Sequence, residues 1–241
     1  MAGRTAVVTG AAGGLGHAFC VGLAEAGATT VVGVDLADQS RVQAAVQTTG
    51  AHYVAVRADV TSEADCAALA AQVGQVDIVV NNAGIFPSIP FLETSLEEWR
   101  RIHRLNVEGT FLITRALLPG MIEAGYGRVV MVASAVVWLG PPGMVAYTAS
   151  KGALVAMVRS LATEVGHTGV TVNAMTPGLT RTETALSSAV NEDFPRVVGN
   201  QAVPRAEEPE DLVSTLLFLC DEGSGFVTGQ AINVDGGFAK H

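Results

Sequence analysis

The sequence predicts a doubly wound α/β domain, a parallel sheet with helices packed on both of its faces. Three observations carry that prediction. Short β-branched apolar runs alternate along the chain with helical periods of about ten residues or more, as βαβ units with right-handed crossovers require. The strand-like runs, seven from TAVVTG to GQAINVDG, are continuously apolar rather than alternating, as in strands covered on both faces. No Pro/Ser-rich linker, repeat or low-complexity tract divides the 241 residues, so 1–241 reads as one domain.

The elements follow in order. TAVVTG is the first strand, and a helical period runs from Gly16 to Ala26. TTVVGVD extends next, before a helix over Gln39–Thr48. AHYVAVRADV leads into a helix begun by Ser62, with Asp65 at the capping-box distance where Glu is more usual. QVDIVVNNAG is a strand, and one long helix is expected from about Glu97 to Ala124. GRVVMVAS precedes a helix around 146–162 whose only charges are Lys151 and Arg159. A helix apolar nearly all round is buried on two sides, either against a second subunit or wholly within the monomer. After the strand GVTVNAM, residues 179–206 carry Pro195, Pro204 and mixed charge without a period, which reads as a mobile flap over a site. A helix after Pro209 and the strand GQAINVDG close the chain.

Composition excludes several classes. A net charge of −9 argues against a nucleic-acid partner, which wants a basic patch. No apolar run approaches the roughly 20 residues that span a bilayer. The N-terminus centres on a glycine-dense turn rather than the apolar core of a secretion signal. Cys20, Cys66 and Cys220 are odd in number and widely spaced, with no metal or redox spacing, so they read as reduced, buried thiols in a cytoplasm.

TGAAGGLG, Thr9 to Gly16, lies directly between the first strand and the first helix. Its spacing is Gly10-x-x-x-Gly14-x-Gly16, and Phe19 stands where the last glycine of G-x-G-x-x-G would be. Glycines still let backbone N–H groups approach a pyrophosphate, and the helix N-terminus stabilises its charge. Asp35, 25 residues after Gly10, ends the second strand. An acid there suits the hydroxyls of an unphosphorylated ribose and repels a 2′-phosphate, and neither Gly13 nor Leu36 is an arginine that would hold one, so NAD(H) is favoured over NADP(H). The bland alternative for Asp35 is a loop-start cap.

AYTASK places Tyr147 and Lys151 four residues apart, on one face of a helix. Alone, that pair reads as a surface lysine beside a half-buried tyrosine. In company it reads otherwise. The glycine turn, NNAG at Asn81–Gly84, YTASK and Pro177–Gly178 stand in order, Ser134 precedes Tyr147 by thirteen residues, and Asn106 sits in LNVEG. On these motifs the whole chain resembles the short-chain dehydrogenase/reductase family.

The resemblance implies a single Rossmann domain with a seven-stranded parallel sheet, order 3-2-1-4-5-6-7, and a homotetramer. It implies that Tyr147 exchanges a proton with the carbonyl or alcohol oxygen, and that Lys151 binds the nicotinamide ribose and lowers the pKa of the phenol. A phenol near pKa 10 is a poor base at pH 7, and a fixed cation about 4–6 Å away favours its anion. Ser134 would stabilise charge on the substrate oxygen. Asn106 would hold a proton-relaying water. For NAD, the implied binding positions are Gly10, Gly14, Leu15, Gly16, Asp35 and Leu36, then Asp59 and Val60 at the adenine. Asn82, Ala83 and Gly84 would flank the riboses, with Tyr147, Lys151, Pro177 and Gly178. Thr180 by its backbone and Thr182 by its side chain would fix the carboxamide. Asn81 is expected to hold strands together, and Asp59 has a turn-capping alternative.

The implied substrate pocket holds Phe86, Ser134, Val136, Trp138, Met144, Tyr147 and Leu186, with Ile85, Pro87 and Leu139 nearby. No basic cluster is evident there, so an apolar, aromatic or bulky secondary alcohol and its ketone are expected. NNAGIFPSIPF and VVWL resemble the family's 1-phenylethanol dehydrogenase branch, and INVDGGFAKH resembles pyridoxal 4-dehydrogenase relatives. Two other readings stay open: a 3-oxoacyl-thioester reductase, and a nucleotide-sensing regulator without turnover.

Overall fold

The computed structural model of the protein describes residues 1–240. Seven strands form one sheet: β1 Thr5–Thr9, β2 Thr30–Asp35, β3 His52–Arg57, β4 Ile78–Asn81, β5 Gly127–Val132, β6 Val170–Pro177 and β7 Ala231–Val234. All pair in parallel, in the order β3-β2-β1-β4-β5-β6-β7, as the resemblance implies. The helices are α1 Gly14–Glu25, α2 Ser40–Gln47, α3 Glu63–Val73, α4 Leu96–His103, α5 Thr110–Ala124, α6 Val136–Leu139, α7 Val145–Val165, α8 Glu183–Leu186, α9 Phe194–Asn200 and α10 Pro209–Cys220.

The inner strands are buried on both faces because each face has its own core, whereas the edge strand β3 mixes buried and exposed residues. In β1, Ala6 and Val8 join a cluster with Phe19 and Leu23 of α1, Val42 of α2 and Leu212 and Leu216 of α10. Val7 points the other way, to Leu69 of α3, Ile113 and Leu117 of α5 and Leu154 and Val158 of α7. Leu154 is 1% exposed, so its truncation to Ala should cost about 2–5 kcal/mol. The three cysteines lie buried on α1, α3 and α10 and form no disulfide. Among the described residues no helix is long and apolar enough to cross a membrane.

Three expectations need correction. The helix expected from Glu97 to Ala124 is interrupted: α4 ends at His103, residues Arg104–Gly109 make a π turn, and α5 begins at Thr110. The extra residue of a π turn re-aims a side chain, and here Asn106 sits within it. Asp65 does not close a capping box onto the Ser62 backbone. Its carboxylate accepts from the Ser62 hydroxyl at 2.9 Å and the Asp59 N–H at 2.9 Å, while Ser62 itself caps the Asp65 N–H. Finally, 179–206 is not irregular throughout, since α8, a 3₁₀ turn at Ala189–Asp193 and α9 occupy it. These pieces are too short to show a period, and Pro195 sits in the first turn of α9, where its missing N–H is tolerated.

Candidate active site

The carboxyl ends of the strands open on a cavity of about 880 Å³. One wall is the glycine turn. The Gly10 N–H donates to the Val34 carbonyl at 2.8 Å, continuing the β1–β2 ladder past the strand end. The Thr9 hydroxyl accepts from the N–H groups of Asn82 and Ala83, each at 3.0 Å, and the Asn82 amide donates to the carbonyls of Thr9 at 2.9 Å and Gly10 at 3.2 Å. This lacing leaves no space for side chains. A Cβ on Gly10, whose φ is +66°, would lie 3.0 Å from Ala83 Cα, and one on Gly16 only 2.0 Å from the Gly10 carbonyl oxygen. Gly10, Gly14 and Leu15 line the cavity and Gly16 packs behind them. Asp35 lines it too, with its carboxylate aimed by the Ala12 and Ala37 N–H groups at 2.9 Å each. It is both wall and loop cap.

The opposite end holds the titratable cluster. β5 runs on past Val132, where the Ala133 N–H donates to Met175 O and the Ala135 N–H to Pro177 O, each at 2.8 Å. That carries Ser134 to the cavity, where its hydroxyl hydrogen-bonds the Tyr147 phenol from α7. Lys151, one turn on, is buried; its ammonium donates to the Val132 carbonyl at 2.7 Å and lies 5.8 Å from the Tyr147 ring centre. Asn106 is fully buried behind this group. Its amide oxygen accepts from the Ile85 N–H at 2.9 Å, and its amide nitrogen donates to Ile85 O at 2.9 Å and Ser150 Oγ at 3.0 Å. With its side chain so engaged, Asn106 fixes the Gly84–Ile85 backbone beside Lys151.

The charge states depart from the sequence expectation. Burial pushes the Tyr147 phenol up to about 12, against the opposing hydrogen bond from Ser134. Burial pushes Lys151 down to about 8. Desolvation is the largest cause in both, and with the phenol near 12 and the ammonium near 8 both groups carry their protons at pH 7.

Between these ends, the loop after β6 brings Pro177, Gly178, Thr180 and Thr182 to the wall, with Asn82, Ala83 and Gly84 facing them. The Thr182 side chain caps α8 by accepting from the Ala185 N–H at 3.1 Å. A Cβ on Gly14 would stand 3.3 Å from Thr182 Cγ2, so this loop adjoins the glycine turn.

Phe86, Ser134, Val136, Met144 and Tyr147 line the cavity as expected, joined by Ile85 and Leu139. Trp138 and Leu186 do not. α6 is a single turn, so when Val136 and Leu139 face the cavity Trp138 faces away; it packs on the core beneath α7 and donates to Thr176 Oγ1 at 3.4 Å. On α8, Ala185 takes the wall and Leu186 is 42% exposed. Pro87 also lies outside the lining, as do Leu36, Asp59 and Val60. Leu36 faces outward, Asp59 caps a turn by accepting from the N–H and hydroxyl of Thr61 at 2.8 Å each, and Val60 is buried against Gly109. Asn81 binds a helix rather than a strand, donating to Thr114 of α5 at 3.0 Å.

Sequence reasoning missed Arg196 and Asp193, an ion pair at 2.9 Å in the flap that lines the cavity, and Glu207, which lies behind Gly178 and Thr180. An i,i+3 pair looks like any solvated helix face, so Arg196 carried no signal. Glu207 is one of four acids among the five residues 207–211, and nothing in the sequence separates it from the others.

The residues present fit a nicotinamide dinucleotide. Positions where any Cβ would fill the cradle coincide with the N-terminus of α1, which stabilises a diphosphate, and the cavity has the volume of a cofactor site.

Comparison with known proteins agrees. The profile of the family described as enoyl-(acyl carrier protein) reductase matches residues 10–239. A (2S)-[(R)-hydroxy(phenyl)methyl]succinyl-CoA dehydrogenase subunit of Thauera aromatica is 36% identical over 97% of this chain and 96% of its own. A 3-oxoacyl-[acyl-carrier-protein] reductase of Aquifex aeolicus is 33% identical over 98% of this chain and 97% of its own. Among solved structures, a short chain dehydrogenase/reductase family protein superposes with a TM-score of 0.88 at 36% identity, covering 98% of this chain and 97% of that one. Cofactors differ among such neighbours. An Agrobacterium tumefaciens 3-oxoacyl (acyl-carrier-protein) reductase holds NADP (TM-score 0.91, 28% identity, 98% and 94% covered), and a xylitol dehydrogenase holds NAD+ (TM-score 0.90, 27% identity, 98% and 99% covered).

Proposed function

We propose, for a chain that belongs to the short-chain dehydrogenase/reductase family, that it interconverts a secondary alcohol bearing an aromatic or bulky apolar group and its ketone with NAD(H). The observation that carries this reading is one cavity that joins Ser134, Tyr147 and Lys151 to the glycine turn and Asp35. A bound nicotinamide dinucleotide supplies or accepts the hydride.

The chain's own residues do the rest. Ser134 donates a hydrogen bond to the carbonyl oxygen and stabilises the charge that grows there. The Tyr147 hydroxyl gives its proton to the same oxygen. A phenol held near 12 carries its proton at pH 7, so carbonyl reduction needs no prior change of protonation, whereas alcohol oxidation needs the phenolate. Lys151 holds the ribose end and, while charged, stabilises that phenolate. Asn106 fixes the backbone between them. Asp35 binds the ribose hydroxyls and repels a 2′-phosphate, which favours NAD(H). Asn82, Ala83, Gly84, Pro177, Gly178, Thr180 and Thr182 complete the cofactor wall, and α8 and α9 act as the flap. Phe86, Ile85, Val136, Leu139 and Met144 supply the apolar substrate wall.

The protein works as a homotetramer in the cytoplasm on this reading. Val145 on α7 and Phe111 on α5 are exposed large hydrophobics on helices that pack on the same face of the sheet, which suits burial against another subunit. Buried thiols suit a reducing compartment.

A second reading, a 3-oxoacyl-thioester reductase, is favoured by Arg196 in the cavity wall, where it could meet an anionic carrier group. Oxidation of NADH and of NADPH over acetophenone, a cyclic ketone, a pyridine aldehyde and an acetoacetyl thioester separates the two. NADH turnover on the aryl ketone supports the first reading; NADPH-driven thioester reduction replaces it with the second.

A further inference from the structure

Only two carboxylates are buried among the described residues, Glu207 and Asp235, at 5% and 3% exposure, and they face the same loop. Gly178 is caught between them: a Cβ there would lie 2.9 Å from Asp235 Cβ and 3.1 Å from Glu207 Oε2. Their partners differ. Asp235 accepts three backbone N–H groups, from Gly237 at 3.0 Å, Phe238 at 3.1 Å and Ala239 at 2.7 Å. Glu207 accepts the Thr180 hydroxyl at 2.5 Å and the Gly178 N–H at a longer 3.3 Å. The charged groups around Glu207 do not neutralise it. Asp235 faces it from the end of β7 and Asp211 from α10, while Arg205 is taken by Asp211 at 2.5 Å and Arg181 by Glu208 at 3.6 Å.

We propose that Glu207 is a positioning residue that couples dinucleotide binding to uptake of a proton, holding Gly178 and Thr180 from behind the cavity wall. Gly178 and Thr180 line the cavity, and the glycine turn that adjoins their loop is where a diphosphate is held. A dianion brought to the front of that wall disfavours a second negative charge behind it, so the bound state favours the neutral acid. The neutral carboxyl keeps both contacts, because the Thr180 hydroxyl accepts as readily as it donates. Burial, chiefly, with Asp235 and Asp211 adding to it, already holds Glu207 up at about 7, which places the coupling in the physiological range.

The inference rests on the dinucleotide reading of the cleft, and its test separates the two. NADH is titrated into the full-length protein by calorimetry between pH 6 and 8, in buffers of differing ionisation enthalpy. The parent is expected to take up part of a proton, with a maximum just above pH 7, between the free and the raised bound pKa, and to bind several-fold more weakly at pH 8 than at pH 6. Glu207→Gln should abolish that maximum and flatten the profile, leaving only the uptake by Lys151 near pH 8. Thr180→Val, which keeps the acid but removes the hydroxyl bond that holds its pKa down, should weaken binding and move the uptake maximum to higher pH without abolishing it. A parent with no uptake maximum near pH 7, or a Glu207→Gln variant with the parent's profile, overturns the proposal alone. Binding of neither NADH nor NADPH overturns the dinucleotide reading and the proposal with it.

Discussion

The two walls of the cleft are built by different means. The nucleotide wall is laced by hydrogen bonds: Thr9, Asn82 and Asp35 each engage backbone groups, and glycines stand where side chains would collide. The substrate wall is a set of apolar side chains from the loop after β4, from α6, from Met144 just before α7 and from the flap, held by packing. A hydrogen-bonded wall demands particular residue types at particular places. A packed wall demands only apolar volume, and which side chain faces inward depends on the phase of a single helical turn. The first wall tolerates almost no substitution, and the second is where specificity can drift.

The largest expected effect lies where the walls meet. Tyr147→Phe should lower kcat by about 10²- to 10⁴-fold while calorimetry finds NADH binding unchanged; retained turnover would remove Tyr147 from the chemistry. Gly16→Ala drives a methyl into the Gly10 carbonyl and should cost about 1–3 kcal/mol of stability, read as a lower Tm with weaker cofactor binding. Asp35→Ala removes a carboxylate from the nucleotide wall. NAD affinity should fall about tenfold or more, and the NAD-to-NADP preference in kcat/KM should narrow. If the parent already prefers NADP, the role given to Asp35 is wrong.

Smaller effects probe the packed wall. Met144→Ala should raise KM for an aryl ketone several-fold, whereas Trp138→Phe, on the far side of α6, should lower stability and leave KM alone. The reverse pattern would show that α6 presents its other face. The pH profile should split by direction. At saturating NADH, kcat for carbonyl reduction uses the protonated phenol and stays flat from pH 6 to 8. Alcohol oxidation rises by up to about tenfold per unit from pH 7 and flattens above about 8, where Lys151 loses its charge.

Much of this molecule was legible in its sequence because seven bare apolar runs and intervening helical periods leave few architectures. The order of the strands came from resemblance, since periodicity carries no information on which strand neighbours which. The glycine turn and Asp35 were legible because they are there for reasons of residue type, whereas Asn82 came from the resemblance. The π turn was not, because it exists to serve contacts of Asn106 with Ile85 and Ser150 that lie far off in sequence. Trp138 was misplaced for want of the phase of α6. The pairing of Tyr147 with Lys151 was plain from spacing, but their charge states depend on desolvation by surroundings that no spacing reveals.

The central claim is that this cavity exchanges hydride between a dinucleotide and a carbonyl carbon while Tyr147 handles the proton. Incubating the parent with NADH deuterated at the transferable C4 position and acetophenone, followed by mass spectrometry of the alcohol, tests it directly. The account predicts one deuterium on the carbinol carbon with the parent, and with Tyr147→Phe formation of that alcohol slowed by about 10²-fold or more. Unlabelled alcohol from the parent, or labelled alcohol formed at parental rate by Tyr147→Phe, would contradict it.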